Sequence, residues 1–271
     1  MTICIAAISN QRSDRQGPYI ATISDTMISG GTISADASTL KYEQFHPDWI
    51  AMMAADDITQ CLPIIAKASD YFANRKNTLA VARAAFKRAF RKHLIEMRED
   101  AVLGQYGMTL DEFLRCGKRR FTATKFDSLC ERLEAIDPKC EFIVHGFDFQ
   151  GKPHIFHVHS LGSDSVWDKP GFCAIGSGKW AAETMLFSLN QSIDCSLSET
   201  IYNICAAKFM AEKSDGVGEY SALYARRQGS SFFSHGFGML EEIRQAWEKD
   251  GCPKVPTGIV QKIDGFGIAF S

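Results

Sequence analysis

Thr2 carries both halves of a catalyst on one residue once Met1 is removed. Its Oγ is the nucleophile, and its α-amino group, with a reference pKa of about 8, is the base that activates it. A threonine hydroxyl alone is a poor nucleophile at neutral pH, so the chemistry needs the amine and gains from a cation. Two residues further along supply the right types. Asp25 ends Tyr19-Ile20-Ala21-Thr22-Ile23-Ser24-Asp25, a strand pattern ahead of the Ser29-Gly30-Gly31 turn. Lys41 lies sixteen residues later, inside the strand pattern Thr39–Phe45. A strand, a turn and a returning strand bring an acid and a lysine back to one chain end. There Lys41 would ease removal of the hydroxyl proton, and Asp25 would keep Lys41 charged and oriented. Read singly, Thr2 is a strand start, Asp25 a turn-entry acid bonding its own backbone and Lys41 a surface lysine. Read as a set, they favour catalysis.

Later comes Phe172-Cys173-Ala174-Ile175-Gly176-Ser177-Gly178-Lys179-Trp180, an apolar strand running through Gly-Ser-Gly into helical spacing of Ala181, Ala182, Met185, Leu186 and Leu189. Ser177 reads as a cap for that helix. With the Asp25-to-Lys41 spacing and the His46-Pro47 turn leading to Met53-Ala54-Ala55-Asp56, these residues resemble the proteasome β-subunit family of N-terminal-nucleophile hydrolases, which includes bacterial peptidases paired with a AAA+ unfoldase. The resemblance covers residues 2–73 and 140–226. It implies an α+β fold with four αββα layers, a threonine peptidase with Thr2, Asp25 and Lys41 as its catalytic set, and a supporting role for Ser177 at the Thr2 amine.

The family's second support is an Asp-x-x-Ser-Gly-Gly segment after the next helix. Here that region reads Ala211-Glu212-Lys213-Ser214-Asp215-Gly216-Val217-Gly218, so the order is not preserved, and Ser214 and Asp215 are the candidates for the role. The same register puts the backbone N–H of Ala55 in the oxyanion hole, where glycine is usual. A backbone donor survives that change. It puts Ile28, with Ser29 beside it, Met53 and Asp57 at the substrate pocket, with Glu43 nearby. Met27 stands where many relatives carry a basic residue. Met53 as an apolar floor and Asp57 as a negative wall imply cleavage after apolar or basic residues and poor cleavage after acidic ones. The resemblance also implies a homo-oligomeric ring, a peptide or unfolded-protein substrate, a AAA+ unfoldase as partner, and no metal or organic cofactor.

The elements that must position these residues are legible in pattern. Residues 2–45 hold two strands and a turn, and Trp49–Ala54 adds a buried strand. Ile58 to Phe72 repeats at helical spacing, with Pro63 in the first turn or at a kink, and a second helix follows Asn77 as its N-cap. Residues 103–136 have no counterpart in the short bacterial relatives. They read as a helical insertion, with helices at Met108–Leu114 and Phe126–Leu133 and a charged tip Lys118-Arg119-Arg120. Strands resume at Cys140–Phe147, His154–His159 and Phe172–Ile175. Ser196-Leu197-Ser198-Glu199 is a capping box, and Tyr220–Tyr224 returns as a strand. The whole is expected to be one domain over residues 1–271.

Composition bounds the reading. The 271 residues are 45% hydrophobic and 23% charged, with net charge −2, which gives no reason to expect nucleic acid or an acidic membrane as partner. Nine cysteines, an odd number without metal-ligand spacing, fit reduced thiols. No secretory n-region precedes Thr2 and no apolar run reaches membrane-spanning length, so the expected compartment is the cytoplasm. His154, His157 and His159 lack an accompanying carboxylate or cysteine at metal-site spacing and read as polar strand positions. Arg83, Lys87, Arg88, Arg91 and Lys92 read as a solvated helix face. Two rivals stay open: a small-molecule amidase of the same chemistry, and a catalytically silent structural ring subunit that retains Met1.

Overall fold

The computed structural model describes residues 2–10, 17–30, 33–36, 40–229, 233–234 and 237–253. It is a mixed α+β fold with two five-stranded antiparallel sheets. The first sheet runs in the order β10 (Phe172–Ile175), β1 (Cys4–Ser9), β2 (Tyr19–Asp25), β11 (Ser221–Arg226), β12 (Phe233–Ser234). The second runs β5 (Tyr42–His46), β6 (Trp49–Ala55), β7 (Cys140–Phe147), β8 (Pro153–Val158), β9 (Asp164–Val166). A separate hairpin, β3 (Met27–Gly30) and β4 (Ile33–Asp36), follows β2. The sequence pattern showed only a turn there.

Alternation along the strands divides the buried side chains among three cores. In β1, Ile5 and Ala7 face one way with Ala21, Ile23, Phe172, Ala174 and Leu223, against α5 (Lys179–Ser188), α6 (Leu197–Ala211) and α7 (Phe237–Ala246). Cys4, Ala6 and Ile8 face the other way and meet Met52, Ala54, Ile143 and Ile155 of the second sheet. The opposite face of that sheet, with Trp49, Ala51, Met53, Phe142, Val144 and Phe156, packs on α1 (Cys61–Phe72) and α2 (Leu79–Arg98). All six residues of β1 are buried because both faces of their sheet are covered. Such a strand is continuously apolar where a half-exposed one would alternate.

Local signals hold at most boundaries. Pro63 is the third residue of α1, where its missing N–H has no partner to lose. The capping box forms: Ser196 Oγ accepts from Glu199 N–H, and the Glu199 carboxylate accepts from Ser196 N–H at 2.8 Å. One cap moves. Thr78, rather than Asn77, caps α2 by accepting from Val81 N–H. Asn77 instead accepts from the Trp49 indole at 2.5 Å and donates to Asp48 and to the Phe147 carbonyl, which leaves it committed to the second sheet.

Beyond α2 the chain makes a π turn (Glu99–Leu103), a short 3₁₀ turn, and helices α3 (Leu110–Arg120) and α4 (Ala123–Glu134). These enclose a fourth core of Val102, Leu103, Met108, Phe113, Leu129 and Leu133. Gly117 lets the two helices close up, since a Cβ there would lie 2.9 Å from the Phe126 ring. Phe113 and Phe126 stack at 4.9 Å. Lys118, Arg119 and Arg120 form the exposed last turn of α3, where cations complement the helix dipole. Among the described residues no helix is long and apolar enough to cross a membrane.

Candidate functional site

The antiparallel register of β1 with β2 and β10 places Thr2, just ahead of β1, beside Asp25 at the end of β2 and the 176–178 turn after β10. Lys41 arrives from the segment entering β5, tied to β6 by Met53 N–H donating to the Lys41 carbonyl at 2.9 Å. The three side chains meet in the interior: Thr2 is 5% exposed, Lys41 3% and Asp25 0%. The Thr2 hydroxyl donates to Asp25 Oδ1 at 2.6 Å, Lys41 Nζ donates to the same oxygen at 2.7 Å, and Lys41 Nζ also donates to Thr2 Oγ.

Asp25 is saturated. Oδ1 accepts additionally from Ile3 N–H at 2.9 Å, and Oδ2 accepts from Met27 N–H at 3.3 Å and Gly218 N–H at 3.2 Å. The turn-entry role and the link to Thr2 and Lys41 therefore coexist, one on each oxygen. A buried carboxylate with this many donors and a paired ammonium has its desolvation offset locally.

Ser177 does not cap α5 with its side chain; the cap is Gly178, which makes no side-chain bond. Its hydroxyl instead accepts from Thr2 N–H at 3.3 Å and lies 3.4 Å from the Thr2 carbonyl oxygen. Gly178 N–H also reaches that carbonyl, at 3.4 Å. Gly176 has φ +97°, and a Cβ there would lie 2.2 Å from the Thr2 carbonyl oxygen, so the turn can approach the chain end only because this residue is glycine.

A cleft of about 450 Å³ opens at Thr2, bordered by Ala54, Ala55, Lys139, Glu141, His159 and Ser177 among others. Glu141 links the cleft to the turn: Oε1 accepts from Gly176 N–H at 3.0 Å and Oε2 pairs with His157 Nε2 at 2.8 Å. Burial alone would raise the Glu141 carboxyl. The His157 and Gly176 hydrogen bonds outweigh it and hold the group below its ordinary value. Burial pushes the neighbouring Cys4 thiol up to about 12, against the pull of Lys41, so it stays protonated at neutral pH and is no rival nucleophile.

The remaining sequence candidates lie elsewhere. Ser214 and Asp215 make no hydrogen bond to Thr2, Asp25 or Lys41 among the described residues. Asp215 is exposed, and the donor from this segment is the backbone of Gly218. Met53 points into the core against α1 and α2, because alternation along β6 turns Met52 and Ala54 the other way, so it does not line the cleft. Asp57 is exposed and accepts from Thr59 N–H and Oγ, which starts the turn before α1. Glu43 is exposed. Ile28 and Ser29 lie in β3, with side chains outside the described residues, as is Met1.

His154 pairs with Asp168 and Asp148, and His157 and His159 stand with ring centroids 3.9 Å apart. Among the described residues no three His, Cys, Asp or Glu side chains are grouped to hold a metal ion. Arg83 and Lys87 bind the buried Asp164 carboxylate, and Arg88 lies over the Tyr71 ring.

Sequence reading missed Glu141 and Gly218. Glu141 did leave a signal, a charge inside a mostly apolar strand. Gly218 acts through its backbone and left none. No protein-family model and no curated protein matches the sequence.

Proposed function

We propose that this chain is a threonine-type N-terminal-nucleophile hydrolase resembling the proteasome β-subunit family, acting on peptide bonds after removal of Met1. The observation that carries the reading is the convergence of Lys41 and Asp25 on Thr2 Oγ, with Ser177 at Thr2 N. The three cores, one between the sheets and one between each sheet and its helices, support the four-layer αββα architecture.

Thr2 Oγ attacks the substrate carbonyl carbon, and its proton passes to the Thr2 amine, directly or through water. Lys41 remains an ammonium and stabilises negative charge on Oγ as the C–O bond forms. Collapse of the tetrahedral intermediate breaks the C–N bond, with the proton on the Thr2 amine going to the leaving nitrogen. Water then attacks the acyl ester, gives up a proton to the amine, and the second product leaves with Thr2 Oγ reprotonated. Ala55, at the cleft, offers the backbone N–H for the oxyanion. Apart from substrate and water, each step uses groups of this chain.

A peptide or unfolded protein is the proposed substrate. A homo-oligomeric ring served by a AAA+ unfoldase is the proposed assembly; both rest on the family resemblance. The experiment is an intact-mass measurement of the purified protein, followed by labelling with a peptide epoxyketone. Loss of Met1, a single adduct on Thr2 and no adduct or turnover in Thr2→Ala are expected. Undiminished turnover in Thr2→Ala would falsify the reading.

A further inference from the structure

Asp25 has a second side, remote from Thr2, where Gly218 N–H holds Oδ2. What fixes Gly218 is a buried lysine that the proposed chemistry does not use. Lys208 sits in α6 within the apolar run Ile204–Phe209 and is 0% exposed. Its ammonium donates to the Gly218 carbonyl at 2.8 Å, to the Glu219 carbonyl at 2.6 Å and to the Glu212 carboxylate. Glu212 is gripped in turn by both arms of the Arg244 guanidinium, at 2.7 and 2.8 Å, and Arg244 reaches the Glu219 carbonyl at 3.2 Å.

Burial pulls Lys208 below the ordinary lysine value, with Glu212 opposing. The two carbonyls belong to the segment between α6 and β11, where a backbone or water donor would satisfy them equally well. What the ammonium adds is direction. It pins the carbonyl side of Gly218 while the N–H side of the same residue faces Asp25. Ser214 and Asp215 lie between the helix and this anchor without touching the centre.

We propose that Lys208 is a positioning residue for the Thr2–Asp25–Lys41 centre. Held by Glu212 and Arg244, it fixes the 214–219 segment so that Gly218 N–H fastens Oδ2 of Asp25 and leaves Oδ1 directed at Lys41 and Thr2. The inference rests on the proposed role of Thr2. Displacement of such a group by about 1 Å from a remote change is enough to cost a site as much as about 100-fold in rate.

The test uses the full-length protein, with Lys208→Met and, should that variant not fold, Glu212→Gln. Two quantities are read: saturation kinetics of Thr2 labelling by a peptide epoxyketone, and amide hydrogen exchange at Gly218. In Lys208→Met the maximal labelling rate should fall about 10- to 100-fold, with the half-saturating probe concentration within about twofold of wild type. Gly218 should exchange faster while the β1 and β2 amides keep wild-type protection. Glu212→Gln, which leaves Lys208 its two carbonyl acceptors, should show the same pattern, several-fold in size. Wild-type labelling in the folded variants overturns the role of Lys208 alone. A wild-type protein that takes no label, with Gly218 protected, overturns the reading of Thr2 and with it this role in catalysis.

Discussion

Two lysines are buried within one hydrogen-bonded assembly around Asp25, and they are held in opposite ways. Lys41 faces Asp25 and the Thr2 hydroxyl, a group that can lose its proton and form a bond. Lys208 faces two backbone carbonyls and a carboxylate already gripped by Arg244, none of which can react under the same conditions. The first cation reaches a side-chain hydroxyl; the second reaches only backbone carbonyls and a carboxylate. Burial of a lysine therefore does not identify a catalytic group. What it touches separates the proposed role of Lys41 from that of Lys208.

The largest effect is expected at Lys41. Lys41→Met should lower turnover by about 10³-fold, the scale of losing a charge-stabilising donor. Its effect on stability should be smaller than that of Lys208→Met, because Asp25 keeps four other donors. Lys208→Met, by contrast, should destabilise the fold by about 3 kcal/mol, the scale of breaking a buried pair. Steady-state turnover and thermal melts read both. If Lys41→Met melts the protein while its surviving fraction works normally, the contrast is reversed and the catalytic assignment is wrong.

Next in size is the turn at Gly176. Gly176→Ala must place a methyl group where the Thr2 carbonyl oxygen stands, at a positive φ. A cost of about 2 kcal/mol in stability and about 10²-fold in turnover is expected. Wild-type turnover here would mean that the position of Thr2 does not depend on this turn, and that the two sides of Asp25 suffice.

A double-mutant cycle joins the two lysines. If both act through Asp25, the Lys41→Met, Lys208→Met double variant should lose less rate than the product of the single losses, with a coupling of about 1 kcal/mol. Strict additivity would separate the two sides.

An effect of similar scale is expected at Glu141. Its carboxyl lies below the ordinary 4.5 in the folded protein, so it stabilises the fold at pH above that value and the contribution disappears as pH falls through the folded value. Glu141→Gln should flatten this acid dependence and cost roughly 1–2 kcal/mol at pH 7, the scale of a charge-assisted hydrogen bond. Urea unfolding at pH 7 and near pH 4 measures it. An unchanged slope between the two would remove Glu141 from the support of the turn.

Much of this was legible because it is local or periodic. The strands Tyr19–Asp25 and Phe172–Ile175 are found where their β-branched and apolar residues stand, the first of them burying Thr22, Ser24 and Asp25 as well. The grouping of Thr2, Asp25 and Lys41 was legible from residue type taken together with the sixteen-residue spacing and the family resemblance, since no one of the three stands out alone. Asn77 and Thr78, both competent caps, could not be separated by type alone. The choice fell to Thr78 because the second sheet takes the side chain of its neighbour.

What the sequence determined by itself is which residue types are present at which spacing and which segments had to be buried: hydroxyl, acid and cation, and the strands that carry them. Tertiary structure alone decided what holds them. Gly218 contributes a backbone N–H that every non-proline residue possesses, so no residue type marks it. Met53 and Asp57 have the right types for a pocket, yet strand alternation and a capping bond turn them away from the cleft. Those assignments depend on which faces meet across the packed layers, a property of long-range contacts that no stretch of neighbouring residues encodes.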